Sequence, residues 1–529
     1  MALGVLPLVI VPNTALGGET VFLVPKLVWL AVVLVPASLL LVRKNTVDVR
    51  ALTIPALLVM WMFVASLLHD DRWRSIAGRS ERYDGALAHT GLLICSLGGA
   101  ALIALGRRRA LGMALARGAI AVAVVSIAQR IGVVPALASQ DRSILLVDMP
   151  GSLIGNRGYT ACFLAAMLPF AIERAQATSV RRRAGWILGV SLVAGAVGLG
   201  WTRGASIAAI VALLAYVAAA RGTRRSAAAI AGVAIAGLIV GTVFAPSTRT
   251  GGSAGHVLSS ANSGRGVLYR AAVAGISRNP IVGLGAGGVL RALSDTDPNT
   301  VLRWANLEAQ TARVNQASTA GHLVIDGERA DGSMVRYDSI TTKAHNELLD
   351  YAVSYGIPAA LLAAAMFVLA LVRVRRDAAL FASLVGAAAG MLTWPQVMRT
   401  APILWALLGA ALAHRPKQLP ATEQFVEHEL GDLVNGRNLV TSHIEHLGRQ
   451  EGLDPVRAPL KADDQRHRVT ELRRKQHFEQ LALTVQVSDC AESGSDLEHS
   501  REGLLVGAPQ GNGVAVRQPR DATRFRLRR

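Results

Sequence analysis

Apolar residues run along this chain in blocks of roughly 17–22, the helix length that crosses a bilayer core, and short polar links separate them. The blocks fall at about 2–12, 21–42, 51–68, 86–105, 111–133, 159–173, 185–201, 204–220, 226–245, 351–372, 378–393 and 398–414. A membrane β-barrel needs strict apolar–polar alternation instead, and no such alternation is found. The pattern therefore predicts an all-α fold: a polytopic transmembrane helical protein of about twelve spans.

The links carry a second pattern. Alternate ones hold basic clusters: Arg43, Lys44 and Arg50; Arg107, Arg108 and Arg109; Arg181, Arg182 and Arg183; Arg221, Arg224 and Arg225; Arg373, Arg375 and Arg376; Arg415 and Lys417. All six fall on one side of the expected topology, and the positive-inside rule makes that side the cytoplasm. The expectation is a multi-pass protein of the cytoplasmic membrane with both termini inside and no removable signal peptide. Residues 1–414 form the membrane domain. Within it, 246–350 is a large extracytoplasmic loop, expected to hold short helices over the membrane face. Residues 415–529 are polar, mixed in charge and poor in aromatics, so a disordered cytoplasmic tail is expected.

Composition agrees. Over 529 residues, 52% are hydrophobic, and the mean hydropathy is +0.38. The formal charge is +19, yet the tail's 18 basic residues nearly balance its 17 acidic ones. The excess belongs to the membrane part, which argues for topology and a phosphate site and against nucleic acid as a partner. Cys95, Cys162 and Cys490 define no disulfide framework, and no Cys/His cluster has zinc spacing, so neither metal nor cofactor is expected. The glycines of "NPIVGLGAGG" lack the Lys-Ser/Thr of a P-loop and the strand-first context of a dinucleotide fold. They read as a tight turn near the membrane face.

Several arginines break the positive-inside pattern. "HDDRWRSIAGRSERYDG" places Arg72, Arg74, Arg79 and Arg82 outside; "GSLIGNRGYT" places Asn156 and Arg157 there. Arg203 stands at an external helix end in "GWTRGAS", and Arg265 lies in the large outer segment. External arginine has no topological use, but its planar fork donates paired hydrogen bonds to phosphate oxygens. Pairing with Asp70, Asp71, Glu81 and Asp84, or with lipid headgroups, is the alternative for the first loop. Arg203 lies between two apolar runs, where a charge is costly and usually functional.

"TTKAHNELLDYAVSYGIP" brings His345, Asn346 and Glu347 to the head of a span on the same outer side. A histidine there can be a structural hydrogen-bonding residue. It can also be a base, because neutral imidazole accepts a proton near pH 7. Asn346 and Glu347 suit orientation of the ring or capping of the helix that follows.

Four stretches, spanning roughly 78–360, resemble the O-antigen ligase and polymerase family of integral-membrane glycan transferases. "GRSERYDGALAHTG" is similar to its early arginine-and-glycine loop. "GSLIGNRGYTACFLAAMLPFAI" is similar to its Gly-Asn motif and following span. "SGRGVLYRAAVAGISRNPIVGLGAGG" resembles its arginine, amphipathic helix and Gly-x-Gly turn. "KAHNELLDYAVSYGIP" resembles its His-Asn-Glu motif. "TRGA" stands where many relatives carry Ser-Arg-Gly, the tail has no counterpart, and the first span is short.

The resemblance implies a metal-independent, inverting glycosyltransferase. Its donor would be an undecaprenyl-diphosphate-linked glycan; its acceptor, a hydroxyl of a glycan, lipid or protein at the outer membrane face. His345 would activate that hydroxyl. Arg265 and Arg203 would hold the diphosphate. Arg82, Arg79, Asn156, Arg157, Asn346 and Glu347 would contribute to substrate binding. A transporter or flippase of lipid-linked sugar or of a small anion is the competing class. It predicts midplane charges, broken spans and internal repeats, whereas the polar residues here gather at the outer face.

Overall fold

The apolar blocks become helices because lipid leaves their backbone groups no partner but one another. The structure, a computed structural model, describes residues 1–10, 18–44, 47–78, 84–134, 151–245, 265–305, 307, 309–317, 323–339, 343–393 and 398–414. The tail reading for 415–529 lies outside the described residues, as do Arg79 and Arg82. In chain order the helices are α1 Ala2–Val5, α2 Gly18–Trp29, α3 Val35–Lys44, α4 Thr53–Leu67, α5 Arg72–Ala77, α6 Ala86–Ala104, α7 Arg108–Arg130, α8 Arg157–Ala177 and α9 Val180–Leu199. They continue with α10 Arg203–Ala219, α11 Arg224–Val243, α12 Arg265–Arg278, α13 Gly288–Ser294, α14 Pro298–Trp304, α15 Glu347–Val374, α16 Ala378–Met391 and α17 Ala401–Leu412.

Seven helical segments among the described residues are long and apolar enough to cross a membrane, and α10, α16 and α17 are shorter apolar helices. Their outward faces carry large apolar side chains, among them Val32, Leu40, Met60, Leu214, Ile239 and Leu361. A helix that is apolar on its exposed face has lipid as its natural solvent. Between helices the fit is close because residues are small. A methyl group added at Gly99 of α6 would lie 1.9 Å from the Ala406 carbonyl of α17, and Ser96 Oγ donates to the Trp405 carbonyl at 2.7 Å.

The first predicted block differs. It holds only α1 and a 3-10 turn, Leu6–Leu8. Seven helical residues rise about 10 Å, a third of a bilayer core of about 30 Å. The piece packs closely against α7: a Cβ at Gly4 would stand 2.4 Å from the Ala114 carbonyl.

One end of the bundle gathers the basic links. Arg108, heading α7, donates to Glu173 of α8 at 2.6 Å and through Nε to Asp377 at 2.7 Å. Burial alone would raise the Asp377 carboxyl, but the hydrogen bonds and charge of Arg108 hold it below the usual range.

The opposite end carries the long segment before α15. Short helices α12, α13 and α14 are present as expected. The segment also contains a three-stranded antiparallel sheet, in the order β1 Thr311–Ala317, β2 Leu323–Glu328, β3 Met334–Ser339. The sequence pattern predicts short helices in this segment and does not foresee the sheet; the chain as a whole remains mostly helical. Leu323 and Ile325 of β2 and Val335 of β3 point into a second core shared with α12, α13 and α14, while Arg336 and Met334 stay exposed.

That segment is joined to the bundle through a broken helix. Gly356 takes φ 85° and ψ 168°, a conformation available essentially to glycine alone, and it splits α15. The freed carbonyls of Val353 and Ser354 accept from the amides of Leu284 and Gly285 at 2.7 and 2.9 Å. Ile357 N donates to the Pro280 carbonyl at 2.8 Å. The glycine-rich stretch 279–288 is therefore the tight turn the sequence predicts, and its glycines let it press against the broken helix.

Candidate functional site

The Gly151–Arg157 stretch folds as a 3-10 turn, Ser152–Ile154, then a left-handed Gly155 and an extended Asn156. Asn156 Oδ1 accepts from the amides of Gly158 and Tyr159 at 2.8 and 3.3 Å, so it is the N-cap of α8. Arg157 is the first residue of that helix and half-buried. The turn is gripped from below. Lys26, 1% exposed, donates to the carbonyls of Leu153 at 2.8 Å and Val9 at 2.9 Å. Arg399, 2% exposed, donates to Ile154 at 2.8 Å, and Thr160 Oγ1 donates to the Gly151 carbonyl at 2.6 Å.

Arg203 heads α10 and is exposed. Arg265 heads α12 and is half-buried. His345 precedes α15 with a φ of +60°, a left-handed conformation that histidine adopts more readily than most residues but still at a cost of about 1 kcal/mol or more. Its neighbours hold it there. Ala344 N donates to Asp350 Oδ1 at 2.7 Å. Asn346 Oδ1 caps α15 by accepting from Leu349 N at 3.2 Å. Lys343 lies 3.9 Å from both Asp84 and Glu347.

The start of α10 and the His345 turn reach the segment 390–393, with α8 alongside. A Cβ at Gly204, next to Arg203, would stand 2.0 Å from Thr393 Oγ1; one at Gly390 would stand 3.6 Å from Cys162; one at Gly200 would stand 3.3 Å from the Arg157 carbonyl. Asn346 Nδ2 donates to the Leu392 carbonyl at 3.5 Å. Beside them, between α8, α16 and α17, lies an apolar cavity of about 70 Å³ lined by Tyr159, Cys162, Phe163, Gly390 and Leu404. Arg157, Arg203, Arg265 and the His345 turn thus share one end of the bundle. Asn156, Asn346 and Glu347 are there too, each with an intramolecular task.

A second group of polar residues gathers at this end. Asp84, Lys343, Glu347, Asp350 and Tyr355 line a small cavity of about 20 Å³ with His89 and Tyr351. Tyr351 Oη and His89 Nε2 are 3.3 Å apart, and His89 Nδ1 is 3.0 Å from the Gly85 carbonyl. Lys26 and Arg399 were visible as charges in apolar runs, a signal that deserves weight inside a membrane. The Asp84–Lys343 approach joins distant parts of the chain and leaves no local trace. Among the described residues no group of three or more His, Cys, Asp or Glu side chains could hold a metal ion.

Farther out, His69 Nε2 lies 3.1 Å from the Val282 carbonyl, so the α4–α5 link supports the glycine turn. Burial lowers the His69 pKa below its ordinary value; the Val282 hydrogen bond opposes that shift, Arg291 adds to it and Asp70 opposes it.

No protein-family model matches the chain, and no curated protein matches it.

Proposed function

We propose that the protein transfers a glycan from an undecaprenyl-diphosphate-linked donor to an acceptor hydroxyl, as an O-antigen ligase- or polymerase-like enzyme of the cytoplasmic membrane. The observation that carries this reading is that Gly204, beside Arg203 at the start of α10, and Asn346, beside His345, both reach residues 392–393, with the arginine-headed starts of α8 and α12 at the same end of the bundle. Helix N-termini carry partial positive charge and free N–H groups. With Arg157, Arg203 and Arg265 at three of them, the site suits an anion of two phosphates.

In this reading the basic end of the bundle faces the cytoplasm and 246–350 lies outside. The diphosphate leaves as the acceptor oxygen attacks the anomeric carbon. Arg203 and Arg265 meet the charge that develops on the leaving group. His345 accepts the acceptor's proton, and direct displacement inverts the carbon. The energy is that of the activated donor.

The broken α15 favours the second reading, a transporter, because discontinuous helices mark transporter sites. Against it, the break is tied to the outer turn, and Lys26 and Arg399 bind carbonyls of a turn at the bundle's end. The deciding experiment is transfer by purified protein with lipid-diphosphate glycan and acceptor. Loss of transfer in Arg203→Ala, Arg265→Ala and His345→Ala, with folding intact, is expected. Wild-type rates in all three, or donor movement across vesicles without transfer, would overturn the proposal.

A further inference from the structure

Away from that site, α7, α9 and α11 enclose a lateral groove. Its floor is α9, with Ser191, Gly195 and Leu199; its walls are Ile127 and Ile131 of the α7 end and Ala236, Val240 and Phe244 along α11. The volume is about 680 Å³, within the ligand-pocket range of about 300–1,000 Å³. Ser191 to Leu199 rises about 12 Å along its helix, and Ala236 to Phe244 the same. The groove is therefore nearly as deep as one leaflet of hydrocarbon, about 15 Å. A slot of this depth and apolar lining accepts a single hydrocarbon chain.

The end of the groove is charged. Arg130, half-buried at the last turn of α7, donates through Nε to the Phe244 carbonyl at 2.9 Å and closes the gap between the walls. That bond leaves both terminal nitrogens of the guanidinium without a recorded hydrogen bond to the described residues. Gln129, one residue before it, binds Ser152 N at 2.7 Å, so this mouth lies at the same end of the bundle as the arginine-headed helices. A cation at the headgroup end of a leaflet-deep apolar slot matches the two parts of a phospholipid.

We propose that this groove is a specific phospholipid site, in which one acyl chain lies along Gly195 and Ala236 and the phosphate sits on Arg130. The proposal requires the chain to be embedded in a bilayer but does not depend on glycan transfer. The guanidinium fork binds two phosphate oxygens at once, and the surrounding apolar wall strengthens that contact.

The test is native mass spectrometry of the purified full chain titrated with phosphatidylglycerol. One lipid per chain is expected to remain at collision energies that strip the rest. Arg130→Gln should weaken its retention roughly tenfold, the loss of one charge-assisted contact. Ala236→Phe fills the slot and should abolish retention, with unchanged elution on size exclusion. A photoreactive residue at Ala236 should crosslink to lipid. Equal retention by wild type and both variants overturns the proposal. So does a retained detergent molecule only, a retained polyprenyl phosphate in place of phospholipid, or a crosslink from 236 to the protein's own chain.

Discussion

Asp350 Oδ1 accepts the amide hydrogen of Ala344 at 2.7 Å, across the turn that holds His345 in its left-handed conformation. The carboxylate is 6% exposed, so the bond has no ready replacement in water. Asp350→Asn keeps an acceptor oxygen at that position and should leave transfer within a few-fold of wild type. Asp350→Leu strands the Ala344 N–H, at a cost of about 1–3 kcal/mol. It should lower the melting temperature and depress kcat more than donor KM. A leucine variant with wild-type stability and kcat would refute the positioning role.

Arg203 and Arg265 differ in exposure but share a position at a helix start. If both grip diphosphate, lysine is a poor substitute, because it lacks the planar fork. Arg203→Lys and Arg265→Lys should each raise donor KM while leaving acceptor KM unchanged. Steady-state kinetics with a soluble acceptor checks this. Full activity in both lysine variants would reduce the role to bulk charge.

Ser333 sits in the turn between β2 and β3, its Oγ bonded to Asp331 at 2.6 Å. The proposed topology puts that turn outside the cell. Ser333→Cys should react with an impermeant maleimide in intact cells as fast as in broken ones. Protection until lysis would invert the topology.

His69 supplies a pH test of how the glycine turn is supported. Its pKa is lowered in the fold, chiefly by burial, so the fold favours the neutral ring. Above the unfolded value of about 6.5 both states are neutral and the contribution is fully present. As pH falls from there toward the folded pKa, the unfolded chain takes up the proton first and stability is lost. His69→Gln can still donate to Val282 but does not titrate. Its melting temperature should gain on wild type between pH 7 and 5, and parallel curves would sink the argument.

Much of the bundle was legible because each apolar block is long and bounded by charge. The block read as 86–105 is the helix Ala86–Ala104, and that read as 204–220 is Arg203–Ala219. The first block misled because apolar length alone does not reveal where a helix stops. The sheet escaped because β3, "MVRYDS", is short and its Val335 and Tyr337 alternate over too few residues to signal burial. The arginines and His345 stood out as charges on the wrong side or at a span's edge. Their supports did not: Asp84 meets Lys343, and Lys26 meets Leu153, only through tertiary packing.

The break at Gly356 has a further consequence for how the two cores depend on each other. The carbonyls it releases sit in an apolar wall, and each would cost several kcal/mol if left bare in lipid. Leu284 and Gly285 satisfy them. The segment before α15 is thus sewn into that membrane helix by its backbone, not perched on top of it. A Cβ at Gly356 would fall 1.7 Å from the Ile281 carbonyl, so there is no slack in the stitch. Exchanging this segment between proteins would require carrying the upper half of α15 with it, since neither piece keeps its hydrogen bonds alone.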